Sequence, residues 1–193
     1  MSVAAIILAA GASRRLGQPK QLLMFQGETL LDRTIRLADE AGAEPIAVVL
    51  GASYNSILSS IQLRQALPVM NERWEEGLAS SIRSGLSAIT AYGQAAGALF
   101  LTCDQPMITA EHLRVLIACF NDSGAPVIVA SQYAGTTGIP SVFPREVFSH
   151  LAALQGDKGA HQLLAGAPCP VNAVPLAQGE IDIDSASDLP YIA

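Results

Sequence analysis

Charge is scarce in this chain. Only 15% of its 193 residues are Asp, Glu, Lys or Arg, while half are hydrophobic, a balance that excludes a disordered tail or linker. Cations are the scarcer sign: 11 Lys and Arg stand against 17 Asp and Glu, a formal net charge of −6. A surface of that sign repels polyanions, which argues against a nucleic-acid binder and against an anionic-membrane binder. Any anion the chain takes must therefore be met by a few placed cations and backbone amides. Cysteine is sparse too. Cys103, Cys119 and Cys169 are odd in number and lack CxxC spacing, which suggests neither a disulfide framework nor a zinc site. No apolar run reaches the roughly 18 residues that a membrane span needs. In MSVAAIILAAGASRR the positive charges follow the apolar run, the reverse of a signal peptide, so a cytoplasmic location is expected.

What the chain does have is alternation. Val3–Leu8, Pro45–Leu50, Ala98–Thr102 and Pro126–Ala130 are short, nearly unbroken apolar runs bounded by Gly, Pro or Asp, as expected of parallel strands covered on both faces. Between them, Thr29–Ala41, Ser53–Ile61, Leu78–Ala91 and Ala110–Phe120 have helical spacing, with Thr109 as the N-cap of the last. This pattern predicts an α/β fold with a mainly parallel sheet, in one domain spanning residues 1–193. After residue 130 the texture changes. Ser131–Phe143 reads as a hairpin, Gly156–Leu164 as a loop and short helix, and Val171–Asp184 as two short strands. A last helical turn starts near Ser185, capped by Asp188.

Two sites on this frame carry chemistry. The first is L-A-A-G-A-S-R-R-L-G-Q-P-K, from Leu8 to Lys20, a loop of small residues at a strand's carboxyl end, where open α/β sheets bind ligands. Three of the 11 cations, Arg14, Arg15 and Lys20, fall within seven residues of it. Small residues let backbone amides approach phosphate oxygens, and Arg15 and Lys20 add the charge a triphosphate requires. A Walker loop is absent, because Lys20 is followed by Gln21, and so is GxGxxG. A solvated basic turn is the plainer alternative. The second site is acidic. Asp104 ends the apolar strand A-L-F-L-T-C-D, and Mg2+ takes one or two carboxylates together with substrate phosphates. Strand alternation would put Asp182 and Asp184 on one face, and Asp184, nearer the strand's end, is the expected second ligand. The plainer alternative makes Asp104 a turn former, Asp184 a helix cap and Asp182 a solvated carboxylate.

With LAAGxSRRLGxPKxLL at the start, CDQP at a strand end and DIDSASDL near the finish, the chain resembles the molybdenum cofactor nucleotidyltransferases along nearly its whole length. It looks most like their cytidylyltransferase branch. The resemblance implies a three-layer, Rossmann-like α/β fold, Mg2+ as cofactor, CTP as co-substrate and molybdopterin as acceptor. CMP would pass to the molybdopterin phosphate with release of pyrophosphate. Family nucleotide-binding positions match Leu8, Ala9, Ala10, Gly11, Ser13, Asn71, Ser80 and Ser81, and its triphosphate cations match Arg15 and Lys20. With Asp104 these two cations form the implied catalytic set, and Asp104 and Asp184 the implied metal pair. Gly138, Pro140, Asp157 and Gly159 match the pterin side, where His161 stands in place of a common arginine. Ala10, where the guanylyltransferase branch reads Gly, favours CTP over GTP. Implied partners are nucleotide and pterin small molecules, with a maturation factor or apo-enzyme of the molybdenum hydroxylases as the protein partner such a role would call for. Two other readings stay open: a different nucleotidyltransferase, using GTP or a sugar or polyol phosphate, and a non-catalytic carrier of the cofactor.

Overall fold

The apolar run near the start of the chain becomes the central strand. A computed structural model describes residues 2–192. In chain order the elements are β1 (Val3–Leu8), β2 (Met24–Phe25), β3 (Glu28–Thr29), α1 (Leu30–Glu40), β4 (Ile46–Leu50), α2 (Tyr54–Leu58) and β5 (Leu67–Met70). They continue with α3 (Leu78–Tyr92), β6 (Gly97–Thr102), α4 (Ala110–Asp122), β7 (Ile128–Tyr133), β8 (Thr136–Pro144), α5 (Phe148–Ala152), α6 (Ala160–Ala165) and β9 (Val171–Pro175). Seven strands form one sheet in the order β5-β4-β1-β6-β8-β7-β9. Only β8 runs antiparallel to its sheet neighbours, so the expected mainly parallel α/β architecture is the one observed. Among the described residues no helix is long and apolar enough to cross a membrane.

The uninterrupted hydrophobicity of β1 follows from burial on both faces. Val3, Ala5 and Ile7 pack into one layer with Leu31 and Ile35 of α1 and Leu113 and Leu116 of α4. Ala4, Ile6 and Leu8 pack into the other with Ile82, Leu86 and Ile89 of α3 and Leu151 of α5. Gly85 lets α3 come close: a Cβ there would stand 2.4 Å from Ile6 Cγ2. In the same layer Phe100 and Phe143 meet edge to face, centroids 5.5 Å apart. The cap expected at Thr109 forms, and Thr29, expected as the first residue of its helix, caps it instead. Thr29 Oγ1 accepts from the Asp32 amide and Thr109 Oγ1 from the His112 amide, satisfying donors that each helix leaves free.

Three local expectations fail, each for a visible reason. The second helix is Tyr54–Leu58 rather than Ser53–Ile61. Ser53 is in the left-handed region at φ 56°, and the Ser59 and Ser60 hydroxyls turn back onto the Ser56 carbonyl. The strand β5 was not among the expected strands; it contains Pro68, whose missing N–H an edge position tolerates. Of the two strands expected over Val171–Asp184, only β9 forms. Residues 176–181 fold into turns, with Gly179 N donating to Leu176 O and Ile181 N to Gln178 O. Beyond them Ile183 is buried and its amide donates to the Asp104 carbonyl at 2.8 Å, so the chain is pinned across the end of β6 without continuing the sheet. The expected cap does form: Asp188 accepts from the Ser185 and Asp184 amides ahead of a final 3-10 turn, Ala186–Ile192.

Register decides where a site can lie. Leu8 pairs with Val49 on one side and Thr102 on the other, so the chain leaves β1, β4 and β6 at the same sheet edge.

The interior also holds a titratable group. His112 of α4 is buried, its Nε2 is 2.7 Å from Ser131 Oγ, and burial holds its pKa below the usual imidazole value. The unfolded chain takes up that proton at higher pH than the folded one, so stability must fall as pH drops through about 6.5. Urea denaturation between pH 8 and pH 5 should show this fall, and His112→Gln, which keeps a donor for Ser131, should flatten it.

Candidate active site

The loop after β1 is held open by its own chemistry. Ala9 continues the sheet pairing through its amide to Val49 O, and Ala10 O accepts from Ala52 N at 3.0 Å. Beyond Gly11 the chain turns back at Ser13, whose φ of 50° places it in the left-handed region and whose carbonyl accepts from the Leu16 and Gly17 amides. Ser13 Oγ accepts from the Lys20 amide, so the turn is latched at both ends. Gln21 completes the brace from beneath. Its side chain is buried, and Nε2 donates to Ala9 O at 2.7 Å and Gly11 O at 3.0 Å. Sequence reading passed over Gln21. Its signal is a lone amide between Lys20 and the apolar Leu22–Leu23 pair, in a place where a surface residue has no reason to be buried. The face of Gly11 is clear: a Cβ there would meet nothing within 4 Å. An open cavity of about 290 Å³ lies against Gly11, Ala12, Ser13, Arg15, Lys20, Trp74 and Asp184.

The acidic site comes to this loop. Lys20 Nζ stands 2.5 Å from Asp104 Oδ2 and 2.8 Å from Asp184 Oδ1, and Arg15 reaches Asp184 Oδ2 at 3.0 Å. Burial opposes the charge on Lys20, but the carboxylates outweigh it and hold the ammonium pKa above its ordinary value. Burial likewise works against Asp184, which the hydrogen bonds from Lys20 and Arg15 keep below the usual carboxylate range. Asp182 has the opposite fate. Desolvation, with Asp104 and Asp184 close by, pushes its pKa up to about 7. It is Asp184, not Asp182, that shares the lysine with Asp104. Two carboxylates that converge on one cation offer the hard oxygen donors that Mg2+ or Mn2+ takes. Among the described residues no three His, Cys, Asp or Glu side chains gather as a closed metal cage. A divalent ion here would therefore depend on phosphate oxygens and water for the rest of its shell. Cys103, next to Asp104, is no rival nucleophile: burial pushes its thiol up to about 12.

The remaining expected residues divide into two groups. Asn71, Ser80 and Ser81 are buried together, Asn71 Nδ2 donating to the two hydroxyls at 2.8 and 3.0 Å while its Oδ1 accepts from the Arg73 amide. Asp157 and Gly159 lie on the loop that packs against this end of α3: Gly156 O accepts from Ala79 N, and a Cβ on Gly159 would be 2.6 Å from Leu78. Gly77 is needed here for two reasons, a φ of 102° and a Cβ position 2.4 Å from the Gly156 carbonyl carbon. Gly138 and Pro140 fall on the other side, in β8. Tyr133 OH and Gln105 Nε2 both donate to Ile139 O between them, and Gln105 also reaches Gly179 O, linking β8 to the residue after Asp104. The side chain of His161 lies outside what the structure describes. Trp74, which lines the cavity, was not singled out from sequence at all.

The chain has relatives of known family and of known structure. Residues 5–173 match the family described as the MobA-like NTP transferase domain. The chain is 31% identical over 187 residues to the purine catabolism protein PucB of Bacillus subtilis, covering 92% of this chain and 88% of that protein. It is 26% identical to the nicotine blue oxidoreductase of Paenarthrobacter nicotinovorans, over 97% and 94% of the two chains. A probable molybdenum cofactor guanylyltransferase of Opitutus terrae matches at 34% over 65% of this chain and 60% of its own length. Among solved structures, Rv0371c from Mycobacterium tuberculosis superposes with a TM-score of 0.84 at 32% identity, covering 100% and 97% of the two chains. A manganese complex of Rv0371c superposes at 0.80 with 27% identity, covering 100% and 98%. With its family match extending from within β1 into β9 and the cation-lined loop in place, the chain belongs to the family of MobA-like NTP transferase domains.

Proposed function

We propose that this protein transfers CMP from CTP to the phosphate of molybdopterin and releases pyrophosphate. The observation that carries the reading is the meeting of Lys20, Arg15, Asp104 and Asp184 at the mouth of the β1 loop. Positive and negative groups placed together in this way suit a metal-bound triphosphate, which carries both signs of charge. The family match and the named molybdenum cofactor guanylyltransferase relative support nucleotide transfer to that cofactor. For cytidylyl over guanylyl transfer the support is Ala10, at the position where the guanylyltransferase branch reads Gly.

The reaction needs no protein nucleophile. An oxygen of the acceptor phosphate attacks the α-phosphorus in line, forming one P–O bond as the bond to the β-phosphate oxygen breaks, and pyrophosphate leaves with that electron pair. What the protein supplies is position and charge. The open amide face at Gly11 and Ala12 cradles the phosphates, with Gln21 holding its shape from below. On binding, Lys20 and Arg15 turn from their carboxylates to the phosphate oxygens, where they offset the charge that develops on the leaving group. Asp104 and Asp184, released from the ammonium, would hold Mg2+, which supplies further neutralisation and orientation of the phosphates. On the acceptor side, Gly138 and Pro140 of β8 and Asp157 and Gly159 ahead of α6 are the pterin-facing residues of this reading.

Pyrophosphate release from CTP in the presence of molybdopterin should require Mg2+ or Mn2+ and stop on chelation. Asp104→Asn, assayed at a temperature where circular dichroism shows it folded, should lower kcat/KM about 100-fold or more, because a contact to a phosphate-bound metal is worth several kcal/mol. Turnover near that of the parent protein would remove Asp104 from the site. A melting series with CTP, GTP, ATP and UTP, each with Mg2+, should show the largest rise for CTP, since a ligand that binds only the folded state raises apparent stability. A larger rise with GTP would reassign the base.

A further inference from the structure

Trp74 is the sole tryptophan of the chain, and it forms part of a cavity whose other contributors include Ala12, Arg15, Lys20 and Asp184. Phosphate-binding cations do not by themselves need an indole beside them. The local structure nevertheless goes to some length to hold one there. Gly51, at the end of β4, leaves the space that Trp74 fills: a Cβ at residue 51 would stand 2.5 Å from Trp74 Cβ and 2.6 Å from its Cγ. The short 3-10 turn carrying Trp74 (Trp74–Glu76) is tied at its start, where the Arg73 amide donates to Asn71 Oδ1. Asn71 is fixed in turn by the buried Ser80 and Ser81 hydroxyls. Trp74 is only part-buried, packing against the core layer that contains Val49 and Ile82 and also lining the cavity.

The order of strands gives this indole a partner. In the reading above the phosphates meet Lys20 and Arg15, in the loop after β1, beside the Asp104 that follows β6. The β1 loop is also tied to the opposite side, through Ala10 O to Ala52 N, immediately after the Gly51 that accommodates the indole. A nucleoside triphosphate anchored by its phosphates on the cations therefore has its ring available on the β4–β5 side. There the loop backbone can meet the ring's edge, and Trp74 its face.

We propose that Trp74 is the stacking platform for the heteroaromatic base of the bound nucleotide, with Asn71, Ser80 and Ser81 as positioning residues that hold its turn. This rests on the nucleotidyltransferase reading above. Every base has a π-face, so the platform contributes affinity without selecting among bases, and selection is left to the loop backbone at Ala9–Gly11. Asn71 and the two serines thus act on the nucleotide through Trp74.

Because the chain has one tryptophan, its fluorescence reports this contact directly. Nucleoside triphosphates with Mg2+ should quench the emission of the parent protein, while inorganic tripolyphosphate with Mg2+ should bind and leave it nearly unchanged. By calorimetry, Trp74→Leu should weaken all four nucleoside triphosphates about tenfold or more, by a similar factor for each, and tripolyphosphate less than twofold. Trp74→Phe, which keeps a ring and most of the packing, should fall between. Asn71→Ala should reproduce the Trp74→Leu loss for nucleotides, again sparing tripolyphosphate. Equal weakening of nucleotide and tripolyphosphate by Trp74→Leu, or no weakening of either, overturns the platform while leaving the nucleotidyltransferase reading intact. Quenching by a reduced pterin but by no nucleotide also overturns it and moves the ring to the acceptor. If the parent protein binds none of the four nucleotides, both readings fall together.

Discussion

One ammonium group holds the candidate site together. Lys20 lies at the end of the loop after β1, Asp104 just after β6, and Asp184 in the segment pinned across the end of that strand, yet Nζ is within hydrogen-bond distance of both carboxylates. Three carboxylates in this neighbourhood repel one another: burial first, and then the charges of Asp104 and Asp184, push Asp182 up to about 7. Lys20 and Asp104 are mostly shielded, with side chains 18% and 15% exposed, so this pair feels a low local dielectric and is the strong member of the group. Arg15, 72% exposed in its ion pair with Asp184, contributes little to stability by comparison. An exposed cation held by one weak contact is instead free to turn towards an incoming anion.

The same arrangement reconciles an acidic protein with an anionic ligand. The net charge of −6 belongs mostly to the surface, whereas the β1 loop concentrates Arg14, Arg15 and Lys20 into a few residues. Steering by the whole molecule is therefore unfavourable for an anion, and the proposed capture rests on short-range charge at a loop whose Ala9 and Gly11 carbonyls Gln21 holds in place. Cys103, the cysteine next to Asp104, is held as a buried thiol and offers no nucleophile. The proposed reaction accordingly asks the protein for position and electrostatics.

Much of the frame was legible because its signals are local. Unbroken apolar runs marked β1, β4 and β6; Thr29 and Thr109 marked helix starts; and the cluster of cations after a small-residue strand end marked the loop. The strand β5 was hidden because Pro68 violates the usual strand pattern, and only an edge position excuses it. Asp182 and Asp184 were expected on a strand, but the turns over residues 176–181 and the bond from Ile183 to Asp104 leave that segment unpaired in the sheet. Asp184 still reaches the site, because the anchor at Ile183 places its neighbour there just as a strand would have. Asn71, Ser80 and Ser81 were legible as a group but not as one buried network whose hydrogen bonds close among themselves.

By itself the sequence determined the alternation of strands and helices, the place of the cation-bearing loop and the residue types of the candidate site. Each depends on neighbours within a turn or two, where periodicity and side-chain chemistry act directly. Tertiary structure alone decided that Asp184 rather than Asp182 shares Lys20 with Asp104, that Gln21 braces the loop, and that Trp74 joins the cations around one cavity. The brace by Gln21 spans only 10 and 12 positions, but the other two facts depend on the in-register pairing of β1 with β4 and β6, which helps bring residues about 50 to 165 positions apart to one sheet edge. Local pattern specifies which face of a strand is buried, but contacts across such separations arise only when the sheet is assembled.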